Sequence, residues 1–514
     1  MPRKTEKKKM KQFLSLVLGA LLITPVLSSC GGNTPQTATT PPVTDTPNTD
    51  PAPKEYTEIE RGYTEYGYDY IRNTAKIVRG ADPTVLYHDG LYYMYATSIG
   101  TGFKVWTSKD LSSWSERGIA LQADGKWNKT MHWAPCVVER NGVFYMFFTA
   151  CHDESVYGKS SALWMGVATA TDPLGPFKLV GDEPFLKCEQ DLVDPFVFFD
   201  DDGSVYLYFN YDRRGIGGSL DIVAARLTPD LKLASTEFTT VLSPSEPWEL
   251  QQGRIVEGAV MLKHNGLYYL MYSCNSYTRP EYAVGYATAE SPLGPFTKYE
   301  NNPVLTSDGN RMVGTGHHDV VASPDGTELF CVYHSLTDPT DYKIAGRMIN
   351  CDRLSFSEDG VLRINGPTTV GQPQPSGVRG TTVLYSGYTL GGVDTEAAAL
   401  LSDKLWYHAP AASLKATDGI AGLTAEFDGC APYQIYLYPA EDGANAPVSV
   451  DAIINNQYRI KDIPFLSKTS PLIFTLEGLP EGVEAKTVRL EFHTDGTDTL
   501  SLREVIFVSK DQTK

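Results

Sequence analysis

Three acidic residues stand at or near the start of apolar, strand-like runs: Asp82 in ADPTVLYH, Asp194 in VDPFVFF and Glu257 in VEGAVML. Carboxyl groups gathered in this number repel one another, and such clusters persist mostly where function requires them. Two carboxyls on opposite sides of an acetal can cleave it, one protonating the departing oxygen and the other activating water or attacking directly. Glu257 has apolar neighbours on both sides, surroundings that raise a carboxyl pKa and suit a general acid. Asp82, before Pro83, suits the base. Asp194 supplies a third negative charge that keeps the acid protonated and orients it. Alone, each Asp-Pro reads equally well as a cap at a strand start; matched placement argues for a site.

Three more residues fall in comparable surroundings. His317 in GTGHHDVV follows glycines that permit close backbone approach, and it suits a central cation, a substrate hydroxyl or a core histidine with its hydrogen bonds met. Trp133 in HWAP suits the wall of a sugar pocket or simple packing. Arg347 in AGRMIN lies on an otherwise apolar strand, where a buried guanidinium needs a carboxylate or hydroxyl unless a strand edge exposes it.

A repeat would bring these residues together. GADPTVLYHDGLYYMYATS reads as a β-hairpin, with an apolar run, an Asp-Gly turn and an aromatic run. The pattern returns in HWAPCVVERNGVFYMFFTA, VDPFVFFDDDGSVYLYFNY, VEGAVMLKHNGLYYLMYSC and GHHDVVASPDGTELFCVYHS. The residues before the turn glycines (Asp89, Asn141, Asp202, Asn265 and Asp325) are about 60 positions apart, enough for four strands and their loops. Counting back seven from Asp89 reaches Asp82; counting back eight from the others reaches Trp133, Asp194, Glu257 and His317. In a radial fold such strand starts lie near the central channel. TDPLGPF and ESPLGPF close the second and fourth copies, a second sign of repetition. The expected fold is all-β: a five-bladed β-propeller over residues 56–379, whose first segment to residue 79 helps close the ring, followed by a smaller β-sandwich over 380–514. The boundary falls in GPTTVGQPQPSG. In the last unit Trp406, Tyr407, Tyr433, Tyr436 and Tyr438 offer either a sugar-stacking surface or core.

The formal net charge is −18, and residues 1–29 hold six Lys/Arg against Glu6 alone, so the remainder is more acidic still. That excludes nucleic acid as a partner and suits a neutral substrate. A basic start, an apolar stretch from Phe13 to Leu27 and Leu-Ser-Ser-Cys at 27–30 read as a leader that resembles a bacterial lipobox, with Cys30 lipidated; an ordinary secretory signal is the alternative. Residues 31–55, rich in Thr and Pro, read as a solvated tether. The expected location is therefore the bacterial cell envelope, periplasmic or surface-facing, with the membrane reached only through the lipid. Of the eight cysteines, the seven besides Cys30 show no CxxC spacing and read as buried free thiols.

The ordered set DPTVLYHDGLYYMY, WAP, LVDPFVFFDDDG, VEGAVMLKHNGLYYL and GTGHH, over about residues 75–370, resembles glycoside hydrolase family 43. The resemblance implies a five-bladed propeller and inversion of configuration, with Asp82 as general base, Asp194 as modulator of pKa and orientation, and Glu257 as general acid. It also implies a calcium or other central ion held through water at His317, and a sugar contact by Arg347. The expected substrates are oligo- or polysaccharides containing arabinose or xylose, attacked by a monomer. A non-catalytic glycan-binding propeller lipoprotein and another propeller glycosidase or phosphorylase are the alternatives. The C-terminal unit resembles galactose-binding-like sandwiches only faintly.

Overall fold

The computed structural model describes residues 55–62, 70–73, 78–158, 161–309, 311–338, 340 and 346–510. The expected leader, Cys30 and nearly all of the tether lie outside the described residues. Five four-stranded antiparallel sheets follow one another along the chain, each built from consecutive strands. Sheet one comprises Ala81–His88, Leu91–Thr97, Gly102–Ser108 and Ser115–Gln122; sheet two, Thr130–Arg140, Val143–Cys151, Leu163–Ala170 and Lys178–Leu179. Sheet three comprises Leu192–Phe199, Val205–Asp212, Leu220–Leu227 and Thr239–Leu242; sheet four, Val256–His264, Leu267–Cys274, Ala283–Ala289 and Thr297–Lys298. Sheet five comprises Gly316–Ala322, Leu329–Leu336, Arg347–Phe356 and Leu362–Ile364.

The first strands pack against one another in cyclic order, sheet five returning to sheet one. A separate apolar core fills each gap between neighbours, the gap between sheets five and one included. Second strands are therefore covered on both faces, which explains why runs such as LYYMYAT are aromatic throughout instead of alternating with polar residues. Buried tyrosines reach polar partners in these gaps: Tyr208 donates to the carbonyl of Pro292 at 2.6 Å, and Tyr95 donates to that of Pro173. Those prolines belong to the two near-identical PLGPF segments, so the shared words serve one task, capping the preceding sheet.

Two local features recur in all five sheets. Between the strand start and its partner the register slips, leaving a β-bulge near Asp82, Ala134, Asp194, Gly258 and His317. On the second strand, opposite the residue before the bulge, stands a polar residue: Thr97, Thr149, Asn210, Ser273 or His334. Each stitches its sheet to the next. The backbone N–H groups of Ala134, His317 and Asp82 donate to Thr97 Oγ1 at 2.8 Å, Ser273 Oγ at 2.7 Å and His334 Nδ1 at 3.3 Å. Asn210 Nδ2 donates to the Val256 carbonyl at 2.6 Å and Thr149 Oγ1 to that of Leu192 at 3.5 Å.

Beyond residue 380 two larger sheets share one core. Residues Thr57–Glu58, expected in the lead-in to the ring, instead pair in parallel with Tyr458–Pro464 of this region, because their backbone finds a free sheet edge there. Trp406, Tyr407, Tyr436 and Tyr438 form no sugar-stacking surface: they are buried together with Val383, Ile506 and Val508, against Tyr70, Val370 and Tyr385. Only Tyr433 keeps some exposure, donating to Glu477 Oε1 at 2.7 Å. The seven described cysteines are free and five are buried, as their apolar surroundings imply.

A buried ion pair within sheet five reaches this region through the Tyr385 hydroxyl, which donates to Glu328 Oε1. Arg353 Nε donates to Glu328 Oε1 at 2.7 Å, the guanidinium also reaches the Gln374 carbonyl at 3.0 Å, and the Ser376 N–H donates to Glu328 Oε2 at 2.7 Å. Replacing Glu328 with Ala strands a buried guanidinium and destabilises the protein by about 3–5 kcal/mol. Chemical unfolding measures this, and a loss below about 1 kcal/mol would show the pair to be dispensable.

Candidate active site

The bulges bring the candidate residues together. Asp82, Asp194 and His317 adopt left-handed backbone conformations, with φ of 50°, 58° and 44°. Non-glycine residues seldom sit there, and the strain persists only where surrounding contacts enforce it. The equivalent positions in sheets two and four are Ala134 and Gly258, with φ of 43° and 60°. Trp133 and Glu257 therefore stand one residue earlier than the position held by Asp82, Asp194 and His317, a correction to the expected alignment. The physical reason is the turn. Asp89-Gly90, Asn141-Gly142 and Asn265-Gly266 have positive φ at both residues, as in two-residue hairpins. At Asp202-Gly203 and Asp325-Gly326 only the glycine does, and longer turns add a residue to the count. Gly258 has a steric role as well: a Cβ there would lie 3.2 Å from the His317 ring.

Asp82 is buried beneath three cationic or imidazole groups. Its Oδ1 lies 2.8 Å from Arg347 Nη1, 3.3 Å from His317 Nδ1 and 3.4 Å from His334 Nδ1. Burial alone would raise the carboxyl, but Arg347, His317 and His334 outweigh it and hold Asp82 well below the usual aspartate range. Both imidazoles are themselves pushed down by burial, His334 to about 4, so they are neutral at pH 7.

Glu257 behaves oppositely. Burial raises its carboxyl to about 7, with the charge of Asp82 adding to the shift, against a hydrogen bond from the Tyr282 hydroxyl to Oε1 at 2.7 Å. Asp194 is also raised well above its ordinary value, first by burial and then by Glu257 and Asp82, against a hydrogen bond from the Gly258 N–H and the charge of Arg347. Expected as a standing negative charge, Asp194 instead shares the high proton affinity of Glu257, because both are desolvated and within electrostatic reach of Asp82. Its bond to Gly258 bears on the backbone next to Glu257.

Arg347 is on the third strand of sheet five rather than an exposed edge; its guanidinium lies 4.5 Å over the Tyr277 ring as well as on Asp82. Trp133 is half-buried, packed on Cys151, Ala162 and Leu163 and edge-on to Tyr157 at 6.0 Å. Around His317, no three His, Cys, Asp or Glu side chains stand at metal-ligand spacing among the described residues; the one such group, Asp451, Asp462 and His493, is in the C-terminal region and already has Arg459 on Asp451. An ion at His317 would therefore depend on water for most of its ligands.

Tyr282, His334, Arg214, Tyr157 and Tyr277 were not foreseen. Arg214 is held by Asp212 through contacts of 2.9 and 2.7 Å, and its charge acts on Glu257. Tyr157 and Tyr277 are exposed. A signal for His334 exists in the sequence: YATS, FFTA, YFNY, MYSC and VYHS place one polar residue at the end of each aromatic run. Tyr282, Arg214 and the two rim tyrosines lie on connections between second and third strands, which have no repeat.

Residues 71–362 match the family described as Glycosyl hydrolases family 43. The chain is 29% identical over 306 residues to a β-D-galactofuranosidase of Aspergillus niger, covering 55% of this chain and 82% of that protein. It is 31% identical over 287 residues to xylosidase/arabinosidase 43A of Humicola insolens, covering 49% and 81%. A crystal structure of a thermostable family-43 glycoside hydrolase aligns with a TM-score of 0.55 and 38% identity, over 60% of this chain and 99% of its own. An endo-1,4-β-xylanase from Bacteroides thetaiotaomicron aligns with a TM-score of 0.51 and 34% identity, over 58% and 98%.

The geometry predicts that Arg347→Gln raises the titration of Asp82, Asp194 and Glu257 together, since the guanidinium lowers all three. Carboxyl carbon NMR reads this directly; unchanged midpoints would remove Arg347 from the electrostatics of the pit.

Proposed function

The chain belongs to glycosyl hydrolases family 43, and from that premise we propose that it releases arabinose or xylose residues from glycans with inversion of configuration. Glu257 protonates the departing oxygen, Asp82 activates the attacking water, and Asp194 orients the acid through the adjacent Gly258 N–H. The observation that carries this reading is the opposite setting of two carboxyls, one buried and one half-buried: Asp82 held well below its ordinary range and Glu257 raised to about 7. Below about pH 7 the first is ready to accept a proton while the second still holds one. A glycan-binding protein has no use for that difference. Arabinose and xylose are favoured because they occur in the names of several relatives, such as the Humicola insolens protein.

In this reading the five four-stranded sheets are the blades of a five-bladed propeller and the two larger C-terminal sheets form a β-sandwich. Arg347 and Trp133 contact the bound sugar. His317 faces the base, and any calcium at the centre is bound through water. The protein acts as a monomer, tethered to the cell envelope by a lipid on Cys30.

With aryl α-L-arabinofuranosides and β-D-xylosides, activity falls as pH rises through about 7, where Glu257 loses its proton. Glu257→Gln lowers kcat on substrates with poor leaving groups by about 10²–10⁴-fold and far less on dinitrophenyl glycosides, which leave without protonation. Equal losses on both would remove Glu257 from the acid role. Proton NMR of the first-formed anomer tests inversion; retention would contradict it.

A further inference from the structure

We propose that His334 is a positioning residue that fixes the base and the hydrogen-bond donor of the acid in one rigid relation, an inference that rests on the hydrolytic reading above. Its ring has no exposed surface. One edge meets Asp82 twice, with Nδ1 3.3 Å from the backbone nitrogen and 3.4 Å from Oδ1. One face stacks on Tyr282, with centroids 5.5 Å apart and planes inclined by 13°. Tyr282 in turn donates to Glu257 at 2.7 Å. Two stacked planar groups, His334 and Tyr282, therefore span the route from one carboxyl to the other.

The other sheets show what this position requires of the fold. Thr97, Thr149 and Ser273 stitch neighbouring sheets with a hydroxyl, and Asn210 does so with an amide. An imidazole is not needed for the stitch. What it adds is reach to the Asp82 carboxylate and a flat face for Tyr282. His334 Nε2 has no hydrogen-bond partner among the described residues, so the Nδ1 edge and the stack are what hold the ring. The charged or titratable groups facing it are Asp82, Arg347, His317 and Tyr282.

The test uses the full chain with His334→Thr, the residue that serves in sheet one, and His334→Asn, the residue that serves in sheet three. Both keep a stitching group and lose the ring. In each, kcat on aryl glycosides is expected to fall about 10- to 100-fold with KM within about twofold, the effect of a small misplacement of reacting groups. Both limbs of the kcat/KM pH profile move to higher pH. The acidic limb moves because the imidazole, which takes up a proton only in the acid range near 4, is no longer there to hold Asp82 down, and the basic limb because a loosened Tyr282 lowers Glu257 less. A stitch and nothing more predicts a change in melting temperature alone. Wild-type kcat and unmoved limbs in either folded variant would overturn the proposal. Asp82→Asn separates the two readings. If it is inactive while His334→Thr is unimpaired, only the role of His334 falls; if Asp82→Asn retains full activity, the hydrolytic reading fails and this one with it.

Discussion

A left-handed residue at the head of each inner strand is the constraint from which the site follows. Four of these five positions hold side chains larger than glycine's hydrogen, at Asp82, Ala134, Asp194 and His317. Each costs on the order of 1–2 kcal/mol relative to ordinary strand backbone. The cost is met locally: at three of the positions the strained N–H donates to a side chain of the preceding sheet, and aromatic cores fill the gaps on either side. The bulge breaks the strand's alternation near the start of each first strand, where these strands pack against one another. Residues from distant parts of the chain can then meet without disturbing the regular pairing below them.

Once the carboxyls meet, one cation decides how they differ. All three are desolvated, which by itself would raise every pKa. Arg347 bonds to Asp82 and to neither of the others in this way, and two neutral imidazoles face the same oxygen. Asp82 therefore keeps its charge, while burial and the charge of Asp82 raise both Asp194 and Glu257, which hold protons below about pH 7. Below about pH 7 a site with one carboxylate, one guanidinium and two protonated acids is close to neutral, although the chain carries −18 overall. It suits an uncharged sugar.

Much of this was legible before the structure because hairpins and their repetition leave strong marks: Asp-Gly and Asn-Gly turns, aromatic runs and Asp-Pro starts. The grouping of Asp82, Asp194 and Glu257 was readable from that grammar, and Arg347 from its charge on an otherwise apolar strand. What misled was counting residues across turns of different length, which placed Glu257 and Trp133 on the same position as Asp82. Exposure was also unreadable: Trp406 and Tyr438 carry the composition of a sugar platform and the burial of a core. Tyr282 and Arg214 lie on connections without a repeat, so their neighbours in space could not be inferred from their neighbours in sequence. His334 was within reach, had the ends of the aromatic runs been aligned as carefully as their beginnings.

The burial of those aromatics makes the C-terminal region a packing partner of sheet five. The strand Arg347–Phe356 carries the site arginine at one end and Asp352 and Arg353 further along. Asp352 accepts hydrogen bonds from Thr368 Oγ1 and the Tyr333 hydroxyl at 2.6 Å, from Gln372 Nε2 at 2.7 Å and from Asn73 Nδ2 at 3.1 Å. Arg353 is clamped by Glu328 and lies over the Trp406 ring at 5.5 Å. A strand held this firmly at one end cannot slide or tilt freely at the other. Sheet five itself, with Asn73, Thr368 and Gln372, therefore anchors the strand that carries Arg347, and the Tyr385 hydroxyl on Glu328 and the Trp406 ring under Arg353 are the contacts added from beyond residue 380.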